Sequence, residues 1–208
     1  MNTKKISNST FLRMPSYLNY LKSLPEDTKT ISATMIADAL NLGDVLVRKD
    51  LAKISEGGRP RVGYLRENLI NDIEEFIDVK SILSAVIVGK SDLVRVLFEY
   101  DGFEKFGIQM KAGFDSVSKE NIIHEKTIYP LDKIECYCKE NKVSLALLMC
   151  SKDEAQEICD KIISSGISAI WNFTSAYLDV PPNVILHNEN MSSSAFKLRM
   201  QVKKLTQK

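Results

Sequence analysis

The sequence predicts an α/β protein with two domains: an N-terminal winged helix-turn-helix domain and a Rossmann-like parallel α/β domain, followed by a separate C-terminal helix. Short amphipathic segments joined by turn residues fill the first part of the chain, and short apolar strands alternate with helices after it. The chain has 208 residues, which is enough for two domains. We place the domains at residues 1–78 and 79–190, and the C-terminal helix at 191–208.

Positive charge is concentrated in the N-terminal part. Residues 1–66 contain eleven Lys or Arg and six Asp or Glu, a net charge of +5, whereas the whole chain carries +1. A basic module on an otherwise acidic chain is the pattern expected of a domain that binds nucleic-acid phosphates. On charge alone, a chance asymmetry is the alternative.

The basic part has the elements of a helix-turn-helix. Leucines at helical spacing predict a first helix over residues 10–24, with Pro15 near its first turn, where proline is tolerated. Ser32 is a good N-cap for a second helix, and Asp44 caps a third helix that runs to about Ile54. A short turn containing glycine joins these two helices, as in a helix-turn-helix.

The third helix and the segment after it predict a DNA-binding surface. Val47 and Leu51 are four positions apart and share the buried face, so Arg48 and Lys49 project to the other side. The glycine-rich segment 55–64 predicts a basic hairpin, the wing. The predicted DNA-binding residues are Ser32, Arg48, Lys49, Lys53, Arg59, Arg61 and Tyr64. The alternative is a solvated helix face beside a glycine loop.

The second part of the chain predicts a parallel sheet and a final helix. Strands are predicted at residues 85–88, 109–114, 145–149, 169–173 and 184–186, with helices after the first and the third of them. The apolar helix predicted at 192–205 has no core of its own to join. We therefore expect it to hold a dimer together.

Several segments resemble one protein family across nearly the whole chain. Val47–Leu51 and Val62–Tyr64 resemble the signature of the Rex family of bacterial redox-sensing repressors. Arg13–Leu18, Tyr100–Phe103 and Asn172–Phe173 resemble the family's first helix, its Tyr-Pro-Gly-Phe segment and its Asn-Phe-Ala-Pro loop. The resemblance implies a homodimer that binds double-stranded operator DNA, releases it when NADH binds, and swaps its C-terminal helix between subunits.

The dinucleotide motif departs from the Rossmann pattern of three glycines. Gly89 matches the first glycine, but Ser91 and Val94 stand at the second and third. Ser91 would narrow the approach of the pyrophosphate to the backbone, and Val94 would push the helix away from the strand. Asp115 ends a strand where the family's acidic residue meets the adenosine ribose. The resemblance assigns the cofactor site to Gly89, Lys90, Ser91, Leu93, Tyr100, Asp115, Ser151, Asn172 and Phe173.

Two further departures concern the family's response to its ligand. Asn19 and Asn190 stand where the family has an arginine and an aspartate that join the tyrosine matching Tyr100 in a charged network. Two neutral amides cannot form an ion pair that changes with ligand. We expect a repressor with lost or altered NADH sensing, in which NAD or NADH binds weakly. A Rossmann fold that binds no dinucleotide is the alternative.

Other classes of protein are less consistent with the sequence. An NAD-dependent oxidoreductase would need a general acid or base, but His124 and His187 fall in predicted loops without an obvious carboxylate partner. We therefore expect no enzyme activity and no catalytic residues. A third hypothesis is a ligand-free partner that forms mixed dimers with a true Rex protein.

Location and metal binding are predicted from what the sequence lacks. No apolar run approaches the length of a membrane span, and no signal peptide is evident, so we expect a cytoplasmic protein with no membrane partner. The four cysteines show no C-x-x-C spacing. We expect free thiols and no metal site.

Overall fold

The computed structural model describes residues 7–89, 91–115, 121–123 and 126–206. The chain divides into two compact units, with the boundary between Ser81 and Ile82. The first unit contains α1 (Asn8–Ser23), β1 (Thr30–Ile31), α2 (Ala33–Ala39), α3 (Asp44–Ile54), β2 (Tyr64–Leu65) and α4 (Arg66–Phe76).

Two helices of the first unit, α1 and α2, begin at side-chain caps. The Ser7 side chain accepts a hydrogen bond from the Thr10 backbone N–H and caps α1, and Ser32 caps α2 through Met35 as predicted. By contrast, α3 has Gly43 as its N-cap, without a side-chain cap, and Asp44 is its first helical residue, so the predicted Asp44 cap was wrong. Pro15 lies in the middle of α1 and not near its first turn, because the helix begins earlier than predicted. The buried side chains of α1 hold it in place despite the missing N–H. They are Thr10, Met14, Tyr17, Leu18 and Leu21.

The wing differs in its pairing from the predicted hairpin. β2 pairs antiparallel with β1, which precedes the helix-turn-helix, in the register Thr30↔Leu65 and Ile31↔Tyr64. The tip is a tight turn closed by two backbone hydrogen bonds between Arg59 and Gly63. Fully buried Ile31 joins this small sheet to the helical core. The wing is therefore anchored through β1 as well as through its own turn.

The second unit alternates strands and helices. Its elements are β3 (Leu83–Gly89), α5 (Ser91–Glu99), β4 (Ile108–Asp115), β5 (Asn121–Ile123), β6 (Lys126–Pro130), α6 (Ile134–Asn141), β7 (Leu145–Met149), α7 (Ala155–Ser164), β8 (Ala169–Asn172), β9 (Ile185–Asn188) and α8 (Met191–Thr206).

These strands form one sheet in the order β5-β6-β4-β3-β7-β8-β9. β5 is antiparallel to β6, and every other neighbouring pair is parallel. β3 is central, and Ala85–Val88 is buried on both faces of the sheet. The chain crosses from one side of β3 to the other before β7, and such a reversal opens a crevice at the carboxyl ends of the strands. This confirms the predicted Rossmann-like parallel fold.

The C-terminal helix α8 has no buried residue. Phe196, Leu198 and Val202 are each more than half exposed. The Asn190 side-chain oxygen accepts a hydrogen bond from the Ser193 N–H at 2.8 Å and so caps the helix. Among the described helices, none has the length and apolar character of a membrane span.

Candidate functional site

The third helix and the wing turn border one groove of about 410 Å³ in the first unit. Of the seven predicted DNA-binding residues, five line it: Ser32, Arg48, Arg59, Arg61 and Tyr64. Three of them are arginines on two different elements, so the groove gathers positive charge from α3 and from the wing. The predicted surface is therefore largely brought together by the fold.

Arg48 is held by a bracket of two side chains. Its Nε donates to Asp44 Oδ2 at 2.8 Å, and its Nη2 donates to Thr34 Oγ1 at 3.3 Å. Thr34 Oγ1 donates in turn to Asp44 Oδ1 at 2.8 Å. The hydrogen bonds from Arg48 and Thr34 lower the pKa of Asp44. We call Thr34, Asp44 and Arg48 the arginine bracket.

The remaining predicted DNA-binding residues have other positions. Lys49 is exposed and does not line the groove. Lys53 Nζ donates to Thr10 Oγ1 at 3.2 Å, which turns its side chain toward α1. The Ser32 hydroxyl is engaged in capping α2, and Tyr64 is partly buried, which raises its pKa.

Asp50 forms a buried network that sequence reasoning missed. Its carboxylate is 1% exposed and accepts bonds from Thr10 Oγ1 (2.9 Å), from Arg13 Nε and Nη2 (2.7 and 2.9 Å) and from Tyr17 Oη (2.9 Å). Burial raises the pKa of Asp50, but the hydrogen bonds outweigh it and hold the pKa below 3.8. The network clamps α3 onto α1 directly beside Arg48 and Lys49.

The second candidate site lies at the carboxyl edge of the sheet. β3 ends at Gly89, β4 at Asp115 and β8 at Asn172, and Ser151 follows β7. A Cβ at Gly89 would collide with the carbonyl oxygen of Met149, so glycine is needed there for strand packing. Asp115 is buried. Ser91 and Leu93 lie on α5, and Lys90 lies outside the described residues.

Val94 packs against β4 beside a glycine of that strand. It is fully buried, and a Cβ added at Gly113 on β4 would lie 2.6 Å from Val94 Cγ1. Gly113 therefore leaves the space that the valine fills. The space at Gly113 explains how Val94 packs against β4, while the expectation that Val94 pushes α5 away from the preceding strand, β3, stays a prediction.

We predict that Gly113→Ala destabilises the second unit by about 1–3 kcal/mol, since the new methyl overpacks this contact. Adding Val94→Ala should recover part of the loss, so the two changes should be non-additive. Urea unfolding followed by the fluorescence of Trp171, the only tryptophan, measures this unit. Equal losses in the single and double variants would contradict the proposed fit.

Asn172 organises the loop after β8. Its Nδ2 donates to Asn188 Oδ1 (2.8 Å) and to the Ala176 carbonyl (3.1 Å), and its Oδ1 accepts from the N–H and hydroxyl of Thr174. Asn172 is fully buried, so its amide is used within the protein. A pocket of about 250 Å³ beside this loop also includes Asn190 and Glu189.

A chain of aromatic contacts connects Tyr100 to this loop. Ring centroids lie 5.0 Å apart for Tyr100–Phe103, 6.1 Å for Phe103–Trp171 and 4.7 Å for Trp171–Phe173. Trp171 Nε1 is buried and finds no hydrogen-bond partner in the part of the chain that the structure describes. Tyr100 and Phe173, both predicted cofactor residues, are thus linked by direct packing.

One of the two histidines differs in its position from the prediction. His187 lies in β9 and not in a loop, and its Nε2 is 3.8 Å from Glu189 Oε2, so the expected lack of a carboxylate partner was wrong. His124 lies outside the described residues.

All four cysteines are free thiols, as expected. Burial raises the pKa of Cys138, Cys150 and Cys159 to about 11, so these thiols stay protonated at neutral pH.

The fold and the two sites define a class of protein with a basic winged helix and a dinucleotide-type sheet in one chain. Family models agree: residues 5–52 match "Putative DNA-binding protein N-terminus" and residues 80–176 match "CoA binding domain". The redox-sensing transcriptional repressor Rex of Treponema denticola is 38% identical over 186 residues, covering 87% of this chain and 88% of that protein.

Other comparisons extend over nearly the full length. Redox-sensing transcriptional repressor Rex 2 of Thermotoga maritima is 35% identical, covering 96% of this chain and 97% of that protein. The crystal structure of RSP, a Rex-family repressor, with β-NAD+ and operator DNA has a TM-score of 0.84 and 28% identity, covering 99% of this chain and 97% of that chain. RSP with β-NADH has a TM-score of 0.83. The chain therefore belongs to the Rex family of redox-sensing transcriptional repressors.

Proposed function

We propose that this protein is a homodimeric repressor that binds operator DNA and responds weakly to NADH. The observation that carries the DNA-binding part is the groove between α3 and the wing, which is lined by three arginines. An exposed basic helix face beside a basic wing suits contacts to both bases and phosphates. RSP, which is similar over nearly the whole chain, has been crystallised with operator DNA.

The first test replaces the two exposed basic residues of α3 separately. Arg48→Ala should cost about 1–3 kcal/mol of specific binding and relax specificity, because an arginine at a base edge carries sequence information. Lys49→Ala should weaken binding more evenly across sequences, as expected of a phosphate contact. Fluorescence anisotropy with palindromic and random duplexes measures both. Wild-type affinity in both variants would rule out α3 as the recognition helix.

The homodimer is supported by the exposed apolar side chains of α8. Phe196 and Leu198 are two positions apart and so lie on nearly opposite sides of the helix, yet both are more than half exposed. A helix that is apolar on more than one side is normally enclosed by other protein. Insertion of α8 into a second copy of the chain would cover both sides, and this is the swapped arrangement that the family resemblance implies.

Substitutions in the nucleotide site and in the family's charged network support a weak response to NADH. Ser91 adds a Cβ where a pyrophosphate needs close approach to the backbone. Asn190 is neutral, and its side chain is occupied in capping α8. Asn19 is exposed and neutral on α1. The adenosine half of a dinucleotide would still meet Asp115 at the end of β4, so weak binding of NAD or NADH is compatible with the proposal.

A further inference from the structure

We infer that Asp44 and Thr34 are specificity-determining positioning residues that present Arg48 to a guanine base. The inference rests on the proposed DNA-binding function and concerns the arginine bracket. Asp44 and Arg48 lie one turn apart on α3, and Thr34 lies on α2. The bracket therefore ties the arginine to both helices of the helix-turn-helix.

The bracket uses one edge of the guanidinium and leaves another open. Nε and Nη2 donate to Asp44 and Thr34 along the side edge. Guanidinium has five N–H groups, so both N–H groups of Nη1 and one of Nη2 remain. Within the described part of the chain, Nη1 donates to no side chain or backbone group. The open end edge matches the O6 and N7 acceptors that guanine presents in the major groove.

Because Arg48 is exposed, restraining its side chain affects the affinity for DNA. The Arg48 side chain is 63% exposed, and without the bracket it would sample many rotamers. Immobilising a flexible side chain at an interface costs roughly 0.5–1.5 kcal/mol, a factor of roughly 2 to 13 in affinity. Because the bracket already restrains Arg48 in the free protein, much of that cost is not incurred when DNA binds. Its carboxylate also opposes nearby phosphates, so it favours the specific contact at the expense of non-specific binding.

The experiment measures the contribution of one guanine atom. A duplex is first selected by the wild-type full-length protein from a random pool. Each guanine is then replaced in turn by 7-deazaguanine, which lacks the N7 acceptor. One guanine in each half-site should show a penalty of roughly fivefold or more, and Arg48→Ala should abolish that penalty.

Variants of the bracket then separate positioning from charge. Asp44→Ala should reduce the 7-deazaguanine penalty by a factor of about 2 or more, toward no penalty, while non-specific affinity is unchanged or higher. Asp44→Asn keeps an acceptor for Nε and should retain part of the penalty, and Thr34→Val should have an intermediate effect. Glu157→Ala, which removes a similar exposed carboxylate 2.7 Å from Lys161 on α7, is the control and should change nothing.

The outcomes are distinguishable. An unchanged penalty in Asp44→Ala, with tighter binding to every duplex, would show that Asp44 only screens Arg48 and would overturn the inference. Thermal unfolding followed by circular dichroism excludes loss of folding as the cause. If the wild-type protein selects no duplex at all, the proposed function itself fails.

Discussion

Replacing Asp50 with alanine is expected to destabilise the winged-helix unit by about 3 kcal/mol, because it leaves Arg13 without its buried partner. The Asp50 carboxylate is 1% exposed and accepts bonds from three residues of α1. Arg13 is 22% exposed and can turn partly to water, which keeps the loss at the low end of that for broken buried pairs. Hydrogen exchange of peptides from α1 and α3 measures the opening free energy.

A matched control lies in the same unit. Glu74 pairs with Lys22 at 2.6 Å between α4 and α1, but nearer the surface. Glu74→Ala should cost about 0.2–1 kcal/mol, as exposed pairs usually do. The fluorescence of Trp171, in the other unit, should be unaffected by either change. Similar losses for Asp50→Ala and Glu74→Ala would contradict the assigned role of the buried network.

The Asp50 network also has a consequence for acid stability. The folded-state pKa of Asp50 lies below the ordinary 3.8, so its contribution is fully present above that pH. It is lost as the pH falls from about 4 toward the lower folded-state pKa, because the unfolded chain binds the proton first. Asp50→Asn should flatten this part of the stability profile of the first unit.

Removal of the chain after Asn190 is expected to convert the dimer into a monomer or an aggregate. The deletion takes away α8, whose apolar residues are all exposed within one chain. A monomer engages one half-site of a palindrome, so operator affinity should fall by about 10²–10⁴-fold through the loss of bivalent binding. Light scattering and DNA titration measure the two effects.

Changes that keep the helix test which of its residues matter. Phe196→Asp with Leu198→Asp should have the effect of the deletion, since both side chains would be buried in the proposed dimer. Alanine at Lys203 and Lys204, which carry the charge of the last turn, should leave the dimer intact. A truncated chain that remains a stable dimer would place the interface elsewhere.

Local signals explain the parts of the fold that could be predicted. Ser32 was identified as an N-cap because a cap is set by the residue and its next few neighbours. β7 was predicted to the residue because Leu145–Met149 is an uninterrupted apolar run. β5, β6 and α6 were missed because their apolar pattern is weak. In α6, for example, only Ile134 and Cys138 are buried.

The candidate sites depend more on contacts between distant residues. Asp50 lies 33 to 40 positions from Tyr17 and Thr10, so no local pattern marks it as their shared acceptor. Gly113 shows nothing in sequence of the space it leaves for Val94. The exposed face of Arg48, by contrast, follows from helical periodicity. Its bracket requires knowledge of how α2 packs on α3.

The most direct test is a fluorescence-anisotropy titration of the operator complex with NADH and with NAD. The two ligands should bind weakly, and NADH at micromolar concentrations should leave this protein on DNA, because a ligand shifts an equilibrium only by its difference in affinity for the two states. Release by micromolar NADH, with little effect of NAD, would contradict the account and show that redox sensing survives the substitutions at Asn19, Ser91 and Asn190.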